Sequence, residues 1–255
     1  HRDYLRDIER LPADKLFVIP NGIDTQRFQP SARDRHDVRQ ELGIGKNDPV
    51  IGIVAALRPE KDHLLFLDVA KQVIDRHADA KFLIIGDGPE RAAIEVAVEA
   101  NQLSRQVIML GSRNDTERYL AAMDVFVLTS KNEAKPVSIL EALACEVPVV
   151  APNVGSVRES VLECVTGFTI NTRDPADFAN SICKLIVDRT LRQVLGENGR
   201  QHVCQVSSLD AMVYGYESLL WQLHCQRQGM PWPKWLSQSP QEPARSSKTQ
   251  IPAAV

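Results

Sequence analysis

Glu133 and Glu141 bracket the segment of the chain whose residue types are best suited to chemistry. Glu133 precedes a helix predicted at 137–144, Glu141 lies inside it, and Pro136 stands at its start, where a missing N–H is not needed. The N–H groups and the dipole at such a helix N-terminus attract phosphate. Carboxylates do not bind phosphate directly, but they accept hydrogen bonds from the hydroxyls of a ribose or a sugar. Together these residues predict a site for a sugar nucleotide, and a pair of solvated acids is the alternative.

The elements around this segment predict the fold. Apolar runs at 125–128 and 147–151 have the composition of buried strands, and the segment lies between them. Continuously apolar strands that alternate with helices predict a parallel sheet covered on both faces. The predicted class is therefore α/β, a Rossmann-like doubly wound parallel sheet with its ligands at the carboxyl ends of the strands. Strands are predicted at 16–19, 50–55, 82–85, 107–110, 125–128, 147–151 and 167–170, and helices at 34–42, 66–74, 89–101, 116–123, 137–144, 157–162, 174–187, 190–204 and 209–223.

The segment from Glu133 resembles the signature of the retaining glycosyltransferases of family 4, which have the GT-B fold. That signature is Glu-Gly-x-Pro followed by Glu-Ala-x-Ala-x-Gly-x-Pro-Val-Val, and the segment here is EAKPVSILEALACEVPVV. Ala134 and Glu146 replace its two glycines, and an Ala at positive φ carries a cost that Gly does not. The resemblance covers about residues 15–225, including VIPNGIDTQRF from Val18. It implies the C-terminal, donor-binding half of a GT-B enzyme.

The resemblance also implies a nucleoside-diphosphate sugar, a UDP- or GDP-sugar, as the donor substrate, with no cofactor and no metal. Glu133 would orient the transferred sugar, Glu141 would hold the ribose hydroxyls, and Lys61 would stabilise the leaving diphosphate. The implied catalytic residues are Glu133, Lys61 and Arg58, and the implied substrate-binding residues are Glu141, Ala134, Lys135, Pro136, Val137, Gly86, Gly88, Ser112 and Arg113.

Arg58 and Lys61 lie in the loop after the first core strand, where a diphosphate needs cations. The family carries an Arg directly before the Leu of this loop and a Lys four residues after that Leu. Lys61 matches this pattern, but Ala56 occupies the Arg position, so Arg58 would have to replace the Arg from two positions along. A charged loop that only contacts solvent is the alternative.

The next two loops supply the remaining candidates. GDGPER begins at Gly86 and is close to the dinucleotide fingerprint G-x-G-x-x-G, but Arg91 takes the place of the third glycine. Gly86 and Gly88 are therefore interpreted as letting a nucleotide approach the backbone, and not as an NAD site. The loop with Ser112 and Arg113 resembles the family segment that frames the base through backbone groups.

Composition argues against several classes of function. The chain has 255 residues, of which 44% are hydrophobic and 25% charged, and its net charge of -3 argues against a nucleic-acid surface. Its five cysteines are scattered without a C-x-x-C pair, which indicates a reduced, cytoplasmic protein without a metal site. The sequence contains no H-E-x-x-H motif, G-x-S-x-G elbow or Walker loop, and no apolar run long enough to span a bilayer.

Three parts of the chain are predicted. Residues 1–14 are interpreted as a helical connector from a missing N-terminal domain, 15–228 as the nucleotide-sugar-binding domain with its C-terminal helices, and 229–255 as a disordered tail. The resemblance implies that the missing domain carries the acceptor site, and peripheral membrane association through that domain is left open. In GT-B enzymes the last helix packs on the N-terminal domain, so the apolar stripe at 209–223 is expected to lack part of its partner.

The function that the resemblance implies is that of a retaining glycosyltransferase of glycan biosynthesis, and little turnover is expected from this chain alone. Three alternatives belong to other classes. They are a non-catalytic sugar-nucleotide-binding module, a sugar-nucleotide epimerase of similar fold, and an NAD enzyme, which the missing third glycine disfavours.

Overall fold

The computed structural model describes residues 2–231, and within that range six strands form one parallel sheet. The strands are β1 (Val50–Val54), β2 (Lys81–Ile85), β3 (Val107–Gly111), β4 (Val125–Val127), β5 (Val149–Pro152) and β6 (Gly167–Ile170). Their order is β3-β2-β1-β4-β5-β6. The chain therefore runs outward from β1 in one direction and, after crossing to β4, outward in the other. This order confirms the predicted doubly wound α/β class and places a topological switch point between β1 and β4.

Helices cover the sheet because its strands have no polar face. In β1, the side chains of Val50, Ile51 and Ile53 are fully inaccessible to solvent, and burying one such side chain stabilises the fold by about 1.5–3 kcal/mol. The most extensive helix–helix packing joins α3 with α8, α2 with α5 and α6 with α9. The helices of the described range are α1 (Arg2–Asp7), α2 (Ala32–Glu41), α3 (His63–Ile74), α4 (Arg91–Ala100), α5 (Thr116–Ala122), α6 (Val137–Ala144), α7 (Val157–Ser160), α8 (Pro175–Val187), α9 (Arg189–Val206) and α10 (Leu209–Gln228).

Asp124 anchors the start of β4, the strand that leads to the Glu133 loop. Its buried carboxylate accepts hydrogen bonds from Arg35 Nη2 at 2.7 Å, from Arg39 Nη2 at 2.8 Å and from the Val50 N–H of the neighbouring β1 at 2.9 Å. Burial acts to raise the pKa of this carboxyl, but Arg35 and Arg39 outweigh it and hold the pKa below the usual value. The two central strands are thereby fixed at the edge of the sheet opposite the predicted site.

The two positions where the family signature has glycine differ in backbone conformation. Glu146 has φ of +60°, the left-handed conformation that a glycine often adopts just after a helix. The next residue, Val147, donates its N–H to the Ala142 carbonyl at 3.0 Å and so closes the end of α6. The strand predicted from Val147 consequently begins two residues later, at Val149. Ala134 is not among the residues with positive φ, so the cost expected for an Ala in that conformation does not arise.

The strand predicted at 16–19 is wrong. Residues 16–22 have no regular secondary structure, and Phe17 and Val18 expose 47% and 61% of their surface. This apolar run has no strand beside it in the described part of the chain. Ile19 lies instead against Gly215 of α10, and Ile23, just beyond the run, forms an isolated bridge with Ser208, the residue before α10.

Helix α10 keeps much of its apolar stripe exposed, as the sequence predicts. Leu220 exposes 65% of its surface and Leu223 exposes 49%, whereas Leu219 is half-buried. None of the described helices combines the length and the apolar character that a membrane span requires. The interpretation of 1–14 as a connector stays a prediction, and most of the tail, 232–255, lies outside the described residues.

Candidate functional site

The loops after β1 and β4 are joined to each other at the switch point. Residues 55–62 connect β1 to α3, and residues 128–136 connect β4 to α6. The Lys131 N–H donates to the Glu60 carbonyl at 2.8 Å, and Thr129 Oγ1 donates to the Lys61 carbonyl at 3.0 Å. Because parallel strands end at the same edge, the carboxyl ends of β1 and β4 bring these loops together although they are distant in the sequence.

Lys61 and Glu133 form an ion pair across this junction. Lys61 Nζ lies 2.6 Å from Glu133 Oε1, and Ser130 Oγ donates to the same carboxylate oxygen at 2.6 Å. The Glu133 side chain is 7% exposed and that of Lys61 22% exposed, so water screens the pair only partly. The structure thus brings together one predicted cation and one predicted acid. Ser130 was not predicted, because a serine in a polar loop has no distinguishing pattern.

The loop after β5 supports Glu133 from its backbone side. The Ser156 N–H donates to the Glu133 carbonyl at 3.4 Å. Gly155, which has φ of +54°, packs so closely that an added Cβ would lie 1.7 Å from that carbonyl oxygen. Any side chain at Gly155 would displace one of the two loops. The position of Glu133 is therefore set by three separate loops, which follow β1, β4 and β5.

The start of α6 offers an N-terminus that no side chain caps. Pro136 is the N-cap residue, and among the described residues no side chain accepts a hydrogen bond from the first turn of this helix. Val137, the first helical residue, exposes 40% of its surface. The N–H groups of a helix N-terminus and its positive dipole end favour an anion. Beside it, Lys135 is half-buried, and this burial lowers its pKa, although nearby Glu159 acts in the opposite direction.

Glu141 lies further along α6, half-buried among charged neighbours. Burial raises the pKa of its carboxyl, Arg27 acts to lower it, and Glu117 adds to the increase. Arg27 in turn lies 2.8 Å from Glu117 and also donates to the Asn114 carbonyl in the loop after β3. Arg27 was not singled out from the sequence. In the sequence, Arg27 is distinguished only by its position in the VIPNGIDTQRF segment.

The remaining predicted residues of the loops after β2 and β3 differ in their exposure and contacts. Ser112 is exposed, while Arg113 is held by Asp115 at 3.0 Å and lies over the Tyr119 ring at 4.9 Å. The side chain of Arg113 is thus engaged within the protein. Gly86, with φ of +142°, lies where an added Cβ would be 1.9 Å from the Ala55 carbonyl, and Gly88 packs similarly on Leu57. Both glycines allow the loops after β1 and β2 to meet, and their contact with a nucleotide stays a prediction.

Arg58 is not brought to the Lys61–Glu133 pair. Its side chain is 63% exposed, and its nearest acid is Glu60, at 3.9 Å. With His63 and Lys131 it lines a small cavity of about 80 Å³ beside the loop. Ala56, the position of the family arginine, is also exposed. The described residues contain no cluster of His, Cys, Asp and Glu side chains suited to a metal ion.

The doubly wound parallel sheet, with an acid, a lysine and an uncapped helix at its switch point, has the architecture expected of a GT-B domain. The sequence model of the family described as "Glycosyl transferases group 1" matches residues 34–202. The chain therefore belongs to the group 1 glycosyltransferase family, which confirms the resemblance seen in the sequence.

Individual relatives agree with this membership. The chain is 33% identical over 193 residues to the UDP-Gal:alpha-D-GlcNAc-diphosphoundecaprenol alpha-1,3-galactosyltransferase of Escherichia coli, an alignment that covers 74% of this chain and 49% of that protein. It is 32% identical over 218 residues to the D-inositol 3-phosphate glycosyltransferase of Corynebacterium jeikeium (strain K411), covering 80% of this chain and 52% of that protein. The chain thus spans about half the length of the curated relatives it matches.

A solved structure shares the fold of this chain. The crystal structure of Anabaena Alr3699/HepE in complex with UDP superposes with a TM-score of 0.76 and 26% identity, covering 84% of this chain and 58% of that one. The fold of the described residues is therefore shared with a GT-B glycosyltransferase.

Proposed function

We propose that this chain binds a nucleoside-diphosphate sugar at the carboxyl edge of its sheet and is the donor-binding half of a retaining glycosyltransferase. The observation that carries the proposal is the Lys61–Glu133 pair, in the loops that lead from β1 and into the uncapped start of α6. A cation and a helix N-terminus suit a diphosphate, and a carboxylate suits a sugar hydroxyl. The chain supplies all three at one edge of the sheet.

In the proposed reaction Lys61 exchanges partners. The diphosphate takes the Lys61 ammonium from Glu133, and Glu133 then accepts a hydrogen bond from a hydroxyl of the sugar. As the glycosidic bond breaks, negative charge grows on the leaving diphosphate, and Lys61 and the α6 N-terminus stabilise it. Glu141 holds the ribose hydroxyls. Because its carboxyl is half-buried, such a hydrogen bond is screened less by water than one at the surface.

The relatives support the class of donor. The name of the Escherichia coli relative includes UDP-Gal, and the Anabaena protein was crystallised with UDP. Because the chain covers only about half of the relatives it matches, we propose that a second domain supplies the acceptor site. We further propose that the complete enzyme works in the cytoplasm in glycan biosynthesis. Its peripheral association with a membrane through that domain is part of the same proposal.

A non-catalytic sugar-nucleotide-binding module is the second candidate, and one observation favours it. Ala56 replaces the family arginine here, and Arg58, whose side chain is 63% exposed, pairs with Glu60 and not with Glu133. A site with one cation fewer stabilises a leaving diphosphate less. Sugar transfer after addition of a separately expressed N-terminal half would exclude the module, and release of an epimerised sugar without acceptor would favour an epimerase.

Calorimetric titration with UDP, GDP and their sugar conjugates tests the donor site. Glu141→Gln should weaken every nucleotide about ten- to hundredfold, since a hydrogen bond to a charged acceptor contributes about 1.5–3 kcal/mol. Glu133→Gln should weaken only the sugar nucleotide, because the freed Lys61 remains available to the diphosphate. Lys61→Met should weaken both kinds of ligand, more so at low salt. Glu99→Gln, on the exposed face of α4, is the control.

The same titrations can contradict the proposal. Equal losses of bare-nucleotide affinity in Glu133→Gln and Glu141→Gln would refute the division of roles. If neither variant loses affinity for any ligand, the two glutamates are solvated acids without a role in binding. Arg58→Met decides the role of Arg58. It should behave like Lys61→Met if Arg58 replaces the family arginine, and it should leave binding unchanged if Arg58 only contacts solvent.

A further inference from the structure

Arg173 reaches from beyond β6 to the two loops that carry Lys61 and Glu133. It follows the last strand by three residues, at the far side of β5 from these loops. Its Nη1 donates to the Ser130 carbonyl at 2.9 Å, and its Nη2 donates to the Thr129 carbonyl at 2.8 Å and to Asp62 Oδ2 at 2.5 Å. One planar guanidinium thus joins the loop after β1 to the loop after β4.

Each of the three residues that accept from Arg173 is bonded to, or adjacent in sequence to, Lys61 or Glu133. Ser130 donates its hydroxyl to Glu133, Thr129 donates its hydroxyl to the Lys61 carbonyl, and Asp62 follows Lys61 directly. Asp62 has φ of +51°, a left-handed conformation that is sparsely populated outside glycine and needs support from its surroundings. The guanidinium supplies that support through the Asp62 carboxylate.

Arg173 also neutralises an acid where negative charge is harmful. The Asp62 carboxylate is 20% exposed and belongs to the residue after Lys61. Without a cation it would repel a diphosphate at Lys61 and compete for the Lys61 ammonium. Arg173 lies 2.5 Å from Asp62, whereas Lys131 is 3.8 Å away. Arg173 is therefore the closer of the two cations that offset this charge.

We infer that Arg173 is a positioning residue of the donor site. It holds the two loops in the register that brings Lys61 and Glu133 together, and it keeps Asp62 from opposing the diphosphate. This inference rests on the proposed function, because the site that Arg173 orders is the proposed sugar-nucleotide site. A lysine cannot take its place, since a single ammonium does not reach three acceptors in the geometry of a planar fork.

Two measurements on the full chain test the inference. Amide hydrogen exchange of peptides covering 128–136 reports the order of the loop without any ligand, and titration with UDP and a UDP-sugar reports the site. In Arg173→Met and in Arg173→Lys, exchange should quicken and UDP affinity should fall about tenfold, the effect of losing one charge-assisted hydrogen bond. Arg105→Met, which removes an exposed arginine before β3, is the matched control and should change neither.

A third variant separates the two effects of Arg173. If neutralisation of Asp62 contributes, Arg173→Met combined with Asp62→Asn should recover part of the UDP affinity while the loop still exchanges quickly. Unchanged exchange in Arg173→Met overturns the inference, whatever the affinity. So does quick exchange with unaltered UDP and UDP-sugar binding. If the unmodified chain binds no nucleotide at all, the proposed function fails, and the exchange data then show only whether Arg173 orders the loop.

Discussion

His63 should make the stability of the fold depend on pH between about 4 and 6.5. It is the first residue of α3, it is 3% exposed, and within the described part of the chain neither ring nitrogen has a hydrogen-bond partner. Burial lowers the pKa of this imidazole from 6.5 to about 4, with Asp62 acting against the shift and Lys61 adding to it. A protonated ring would also lie at the positive end of the helix dipole.

The sign and the size follow from proton linkage. Between pH 6.5 and pH 4 the unfolded chain binds a proton at this residue and the folded chain does not, so acid favours the unfolded state. A shift of this size removes about 2 kcal/mol of unfolding free energy by pH 5 and about 3 kcal/mol by pH 4, with little effect above pH 7. The stability is thus lost as pH falls through this window.

Urea unfolding followed by circular dichroism at pH 7 and pH 5 measures the effect. His63→Leu should be close to neutral at pH 7, because it removes two buried polar atoms that have no partner among the described residues. Its loss of stability between pH 7 and pH 5 should be about 2 kcal/mol smaller than that of the unmodified chain. His36→Leu, at an exposed position of α2, should keep the original pH dependence. Equal acid losses in the unmodified chain and in His63→Leu would refute the reasoning.

Three other predictions concern stability and association. Glu146→Gly should raise the unfolding free energy by about 1 kcal/mol, because it relieves a left-handed conformation, whereas Ala134→Gly should give no such gain when both are measured by thermal unfolding. Asp124→Asn should lower the unfolding free energy by about 3 kcal/mol in the same assay, because it leaves the buried Arg39 and the partly buried Arg35 without their carboxylate. Because the folded pKa of Asp124 is depressed, the stabilisation from the carboxylate should be present above its unfolded pKa of about 4 and lost as pH falls through the lower folded value. Leu220→Ser with Leu223→Ser should reduce concentration-dependent self-association in sedimentation velocity, since both side chains lie on an exposed apolar face. A chain that sediments as a monomer at all concentrations before substitution would count against this last prediction.

The sequence predicted the sheet well because its signal is local. An apolar run such as 125–128 is recognisable from its own residues, and so is the helix that begins at Val137. The strand predicted at 16–19 failed for the same reason. Its residues have strand composition, but a strand also needs a neighbour with which to pair, and composition does not report one.

The site was predicted in parts and not as an assembly. Lys61 and Glu133 were identified separately, but their contact joins residues 72 positions apart and depends on the sheet order. Arg173 was missed because its role depends on acceptors 43, 44 and 111 positions away, two of which are backbone carbonyls that no residue type reveals. Arg58 shows the opposite case. Its type and position suggested a phosphate contact, but the loop directs it toward solvent.

Under the proposed function, the Lys61–Glu133 contact would make the site selective against ligands that satisfy only one of its two residues. An inorganic phosphate or a bare nucleotide would compete with Glu133 for Lys61 without offering the displaced carboxylate a hydrogen-bond donor, so the contact of 2.6 Å would oppose its binding. Under the proposed function, a sugar nucleotide instead supplies a new acceptor for the lysine and a new donor for the glutamate. After transfer the sugar has left, the carboxylate again lacks a partner, and closure of the ion pair favours expulsion of the spent nucleoside diphosphate. The same contact would thus discriminate against ligands without a sugar at the start of a turnover and would favour product release at its end.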